Sequence, residues 1–153
     1  MIQYSILRIL ARIVQILPLN FIRLFRYPFG ILYYILSFRS TLRLIKRRKY
    51  FLDNNIFNFS PLSVKMFYTQ YWIETLWLNK KVSLNPHKYV SFDEPEKINR
   101  LIQNNLGFII ALPHQGNWEF AIPAGKNLGL KLVAVAEPLS NKKILEWFID
   151  LRT

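Results

Sequence analysis

No acidic residue precedes Asp53, whereas Arg8, Arg12, Arg23, Arg26, Arg39, Arg43, Lys46, Arg47, Arg48 and Lys49 are threaded through runs of Ile, Leu, Phe and Tyr. A soluble helix pair can lay arginine stems over an apolar face and keep the charged heads in water. Such a pair normally carries compensating acids, and 52 residues without one point instead to an anionic lipid surface. That surface attracts each basic residue near it by about 1 kcal/mol. The whole chain pairs 52% apolar residues with a formal charge of +12, an unusual combination, because strongly basic proteins are mostly polar. A bilayer-spanning helix needs about 20 apolar residues. The uncharged runs are shorter than that: Ile13 to Ile22 is broken by Pro18, and Tyr27 to Phe38 contains Pro28 and Gly30. Arg8 and Arg12 fall one helical turn apart, as do Arg39 and Arg43. These segments therefore read as interfacial helices with a basic stripe, the stretch from Tyr27 to Phe38 inserting more deeply. A signal peptide fits less well, since Arg8 and Arg12 interrupt the apolar region and no small-residue cleavage site follows. The basic flank after Phe38 favours the cytoplasmic face of the inner membrane. The cluster from Arg43 to Lys49, with tyrosines nearby, raises nucleic acid as a competing partner. Nucleic-acid modules seldom set such a cluster against long apolar runs, so the expected partner is a lipid surface and not nucleic acid.

The middle of the chain reads as structure more than chemistry. Ser60-Pro61 is a helix start, and the apolar pattern runs to about Leu78. Glu74 stands among apolar neighbours and calls for a basic partner that the sequence does not identify. Asn85-Pro86-His87 is a turn, leaving His87 as an exposed loop residue. Asp93-Glu94-Pro95-Glu96 reads as a capping box opening a helix to about Asn104. Two distant histidines and no cysteine make no metal-ligand set.

Chemistry concentrates in Ala111-Leu-Pro-His114-Gln-Gly116-Asn117-Trp-Glu119. The apolar run before it, residues 107–113, reads as a short buried strand, with a second strand at 131–136. His114 then stands at a strand's carboxyl end, where open α/β sheets bind ligands. Pro113, Gly116 and Asn117 make a tight turn, and Glu119 falls in the first turn of the next helix. A neutral imidazole acts as a base only when one ring nitrogen is free, and a carboxylate at the other fixes that tautomer. His114 and Glu119 are thus candidates for a general-base pair that deprotonates an alcohol. With no cysteine and no Gly-x-Ser-x-Gly, direct acyl transfer is simpler than a covalent acyl-enzyme. The competing reading is a surface histidine, with Glu119 complementing a helix dipole.

The longer string Pro113-His-Gln-Gly-Asn-Trp-Glu119 resembles the signature of the bacterial lipid A biosynthesis acyltransferase family. That family includes the late lauroyl and myristoyl acyltransferases and the phosphatidylinositol mannoside acyltransferases. The resemblance continues in Ala136-Glu-Pro-Leu139 and in the helix from Leu145 to Arg152, and Ala-Glu-Pro-Leu is more similar to the mannoside branch. It implies an α/β fold in which membrane-associated helices, residues 1–58, lead into the first βαβα part of an acyltransferase core, residues 59–153. Two strands are too little sheet for a complete α/β enzyme, and family members are much longer, so a truncated chain is expected. The activity implied is transfer of a fatty acyl group from acyl-CoA or acyl carrier protein to a hydroxyl of a membrane glycolipid, with no cofactor. His114 would be the base and Glu119 its orienting partner. Tyr68, Tyr71 and Trp72 are candidates for the wall of an acyl groove. On physical grounds, Gly116 and Asn117 are candidate substrate-binding residues, through turn amides facing the thioester carbonyl. The alternative is a non-catalytic membrane-binding remnant or inactive paralogue.

Overall fold

The structure, a computed structural model, describes residues 2–78, 82, 85–104, 107–111, 116–133 and 141–152. It divides into two units, one of residues 10–77 and one of residues 1–9 with 78–153.

In the first unit the chain is helical almost throughout. Helix α1 (Ile2–Ile16) enters it at Leu10, and α2 (Leu19–Leu24), α3 (Arg26–Leu36), α4 (Phe38–Asp53) and α5 (Pro61–Trp77) follow. Pro18 ends α1, because it has no N–H to extend the ladder. Its extended backbone turns the chain, and its carbonyl accepts from the amides of Phe21 and Ile22 to open α2. The carbonyl of Leu17, left over at that corner, accepts from the Trp77 indole at 2.8 Å, and Gln15 Nε2 donates to Leu76 O at 3.1 Å. The end of α1 is thereby tied to the end of α5. The break between α3 and α4 is satisfied in a similar way, by Ser37 Oγ donating to Tyr33 O and Thr41 Oγ1 donating to Tyr34 O. Asn55 takes a left-handed φ of 52° in the α4–α5 turn, a conformation asparagine tolerates. The Phe51, Phe57 and Phe59 rings pack together beside it.

Helix α5 is the axis of this unit, with α3 laid along it and α2 and α4 also touching it. The contact with α3 is backbone-close at Gly30, where an added Cβ would lie 2.8 Å from Met66 Cα and 2.7 Å from Met66 Cγ. Gly30 reads in the sequence as an interruption of an apolar run; in the structure it is the point of contact. Two turns further along α5, Glu74 is buried and accepts from Arg23 Nε at 2.7 Å and from Gln70 Nε2 at 2.8 Å, and Arg26 Nη1 donates to Gln70 Oε1 at 2.7 Å. Arg23 is the basic partner the sequence left unnamed. A buried carboxylate is tolerated only when paired and hydrogen-bonded, as here.

The second unit corrects the expected fold class. Its described elements are a 3-10 turn at Pro86–Lys88, α6 (Pro95–Gln103), a 3-10 turn at Trp118–Phe120, α7 (Ala121–Asn127) and α8 (Lys142–Arg152). Among the described residues there is no strand, so the expected α/β architecture with a βαβα core is not found. Residues 107–111 and 131–133 are irregular and open, with Ile109 96% and Val133 97% exposed. A strand exists through its ladder, and these runs pair with none. Residues 112–113 and 134–136 of the two strand candidates lie outside the described residues. The capping box at 93–96 also does not form. Helix α6 begins at Pro95 after Glu94, with no side-chain cap, and Glu94 instead pairs with Lys97 at the surface. The core of this unit gathers Leu78, Val82, Phe120, Ala124 and Phe148, with α7 against the Pro86–Lys88 turn.

Substituting Gly30→Ala tests the α3–α5 contact. Alanine should gain about 1 kcal/mol of helix propensity. The clash is with Met66 backbone, however, which no rotamer relieves, so overpacking of about 3 kcal/mol wins. The expected outcome is a urea midpoint lowered by about 2 kcal/mol of stability; an unchanged or raised midpoint would show that the helices do not meet there.

Candidate functional site

The motif turn is described from Gly116 onward; Leu112, Pro113, His114 and Gln115 lie outside the described residues, so the distance from His114 to Glu119 is not among its dimensions. Gly116 has φ of 62°, the left-handed region that favours glycine, and its Cα faces open space. Asn117 follows with its Oδ1 accepting from Glu119 N at 3.2 Å, and its carbonyl accepts from Phe120 N. This side-chain cap starts the 3-10 turn Trp118–Phe120, which runs directly into α7. The asparagine thus has a structural task, shaping the turn that carries the acid.

Glu119 is fully buried. Among the described residues no buried side-chain nitrogen or oxygen lacks a hydrogen-bond partner, so the carboxylate is held inside the unit. An acid placed only to complement a helix dipole sits in water, whereas Glu119 is buried. Enclosure is what an orienting partner for a base requires, because a fixed carboxylate fixes the ring it bonds.

Tyr68, Tyr71 and Trp72 lie on α5, in the unit of residues 10–77, whereas Gly116, Asn117 and Glu119 belong to the other unit. The three aromatics do come together. Trp72 meets Tyr71 edge-on at 5.5 Å and Tyr68 at 6.2 Å, and Tyr68 stacks on Tyr33 of α3 at 5.7 Å. Tyr68 and Trp72 remain partly exposed.

A second group was not singled out by the sequence. Lys65 is 3% exposed, and its Nζ donates to Ser40 Oγ at 2.9 Å and lies 4.0 Å from the centre of the Tyr33 ring. Burial holds its ammonium below the usual lysine value of 10.5; Tyr68 opposes the shift, and repulsion from Arg43 adds to it. A signal was available in the sequence. Lys65 sits between Val64 and Met66 on an otherwise apolar stretch of helix, where a cation needs a reason.

Comparison with protein-family models, with curated proteins and with solved structures finds no match to this chain. No group of three or more metal-ligating side chains occurs among the described residues. Among those residues no single helix is long and apolar enough to cross a membrane. The pair Tyr4–Ile16 and Leu19–Leu36, bent by 120°, has the length and composition of a broken span or re-entrant loop.

Lys65 makes a pH prediction. The folded chain holds this proton less tightly than the unfolded chain, so burial of the charge costs stability at neutral pH. That cost is relieved as pH rises through the lowered folded value towards 10.5. The difference in urea midpoint between wild type and Lys65→Met should therefore move in favour of the wild type from pH 7 towards 10.5. Parallel pH profiles would contradict the burial of a charged lysine.

Proposed function

We propose that this chain works at the cytoplasmic face of a membrane and transfers a fatty acyl group from acyl-CoA or acyl carrier protein to a hydroxyl of a membrane glycolipid of the phosphatidylinositol mannoside or lipid A type. The observation that carries the reading is the enclosed Glu119, held by the Asn117-capped turn that closes the Pro-His-Gln-Gly-Asn-Trp-Glu string. In the proposed step His114 takes the proton of the acceptor hydroxyl, whose oxygen attacks the thioester carbonyl. The tetrahedral adduct collapses with cleavage of the C–S bond, and the departing thiolate recovers the proton from the imidazolium. Glu119 orients His114 and stabilises the cation between the two transfers. Turn amides near Gly116 are the proposed donors to the developing oxyanion.

The membrane setting is supported separately. Helices α2 and α3 turn Phe21, Leu24, Phe29, Ile31, Ile35 and Leu36 outward. The neighbouring α4 carries Arg39, Arg43, Lys46, Arg47, Arg48 and Lys49 and buries only Thr41. An apolar surface flanked by unbalanced positive charge suits the headgroup region of an anionic leaflet. A second reading, a membrane-binding protein without catalysis, is favoured by one observation: the described residues around the motif form no sheet edge to present a ligand.

The two readings part on turnover. Because Glu119 is fully buried, Glu119→Ala would confound chemistry with a cavity, and the isosteric Glu119→Gln is the cleaner probe. With acyl-CoA and glycolipid in anionic vesicles, the wild type should form acylated glycolipid detectable by mass spectrometry. Glu119→Gln should slow transfer by about 100-fold or more, and His114→Ala by at least as much, with vesicle binding retained. Turnover undiminished in Glu119→Gln would remove the acid from the mechanism, and no transfer by the wild type would favour the non-catalytic reading.

A further inference from the structure

We infer that Lys65, Ser40 and Arg43 form a binding site for a phosphate oxyanion. The argument starts from a missing counter-charge. A lysine buried to this degree is ordinarily neutralised by a carboxylate, yet no carboxylate pairs with Lys65 among the described residues. An ammonium has three donors. One goes to Ser40 Oγ, and the Tyr33 ring covers another side of the nitrogen; among the described residues it has no further acceptor. The next cation makes the imbalance greater. Ser40 and Arg43 are three residues apart on α4 and so share a face, and Arg43 is close enough to Lys65 to repel it. Two cations and a hydroxyl gathered from α4 and α5, with no acid among them, lack an anion. Phosphate matches this set, because its several oxygens accept from an ammonium, a guanidinium fork and a hydroxyl together. Ser40 is only half-buried and Arg43 is exposed, so these two reach solvent while Lys65, 3% exposed, lies behind them. The inference does not rest on acyl transfer; it concerns another unit of the chain and other residues.

A phosphate group reaches such a site on a phospholipid or free in solution, and two measurements on the full chain separate these sources. The first is thermal unfolding in inorganic phosphate against chloride at matched ionic strength and pH. The wild type should gain about 5 °C or more at a phosphate concentration a hundredfold above its dissociation constant. Arg43→Gln, an exposed change that leaves folding intact, should lose most of that gain, and Lys65→Met all of it; Lys126→Gln, in the other unit, should keep it. The second is co-sedimentation with phosphatidylcholine vesicles containing either phosphatidic acid or an equally charged fatty-acid carboxylate. A preference of about tenfold for phosphatidic acid, abolished in Arg43→Gln while charge-driven binding persists, would assign the site to a lipid headgroup. Stabilisation by inorganic phosphate without that preference would assign it to the free anion. An equal gain in all four proteins, or no gain over chloride together with no vesicle preference, would overturn the site. Failure to bind any anionic vesicle would instead count against the membrane setting and leave the solution arm to decide.

Discussion

The Cα of Met66 lies only 2.8 Å from where a Cβ on residue 30 would sit, and much of the first unit is arranged around that approach. Because Gly30 lets α3 lie backbone-close on α5, Tyr33 is brought over Tyr68 and within cation–π range of Lys65. The same alignment is held on the α2 side by Glu74, which binds Arg23 and, through Gln70, Arg26. Lys65, Glu74 and Thr75 are thus buried together with Ile22 and Trp77, while large apolar residues such as Ile31, Ile35 and Leu36 lie outside. So much outward apolar surface is unusual for a helical protein in water, and on the proposed reading a lipid surface covers it.

What the sequence made legible was whatever local chemistry decides. Ser60-Pro61 starts α5 because proline suits the first turn and the serine hydroxyl accepts from Ser63 N. Pro18 ends α1 for the same kind of reason. Tertiary contacts were less visible. Gly30 looks like a helix breaker unless the partner backbone at Met66 is known, and Glu74 has several cations to choose from until folding selects Arg23. Residues 107–111 are irregular and not a strand, because a short apolar stretch carries no period that separates a strand from coil; only a neighbouring ladder does. At the motif, the asparagine cap and the glycine turn follow from residue type, whereas the burial of Glu119 depends on tertiary packing that a local pattern does not carry. A lysine on an apolar helix usually snorkels to water, whereas Lys65 is buried and bonds Ser40 of another helix, a tertiary contact that residue type does not carry.

These features make a consistent physical account. On the proposed reading, a basic, outwardly apolar helical unit meets the membrane and a separate unit carries the buried acid Glu119. The surface would supply acceptor lipids at high local concentration, and the Pro-His-Gln-Gly-Asn-Trp-Glu string is the proposed place of proton transfer. Nothing in this arrangement requires a metal or a cofactor for the proposed step, because the proton the base removes from the alcohol is the one the leaving thiolate receives.

The most direct test of the account is the depth of α3 in the bilayer. A spin label at Ile35, one at Arg47 and one at Met66, each introduced singly, would be compared in anionic vesicles for collision with oxygen and with a water-soluble nickel chelate. The account predicts that Ile35 favours oxygen, Arg47 favours the chelate at the headgroup level, and Met66 is shielded from both. Ile35 and Arg47 equally open to the chelate would place α3 in water and contradict the membrane setting.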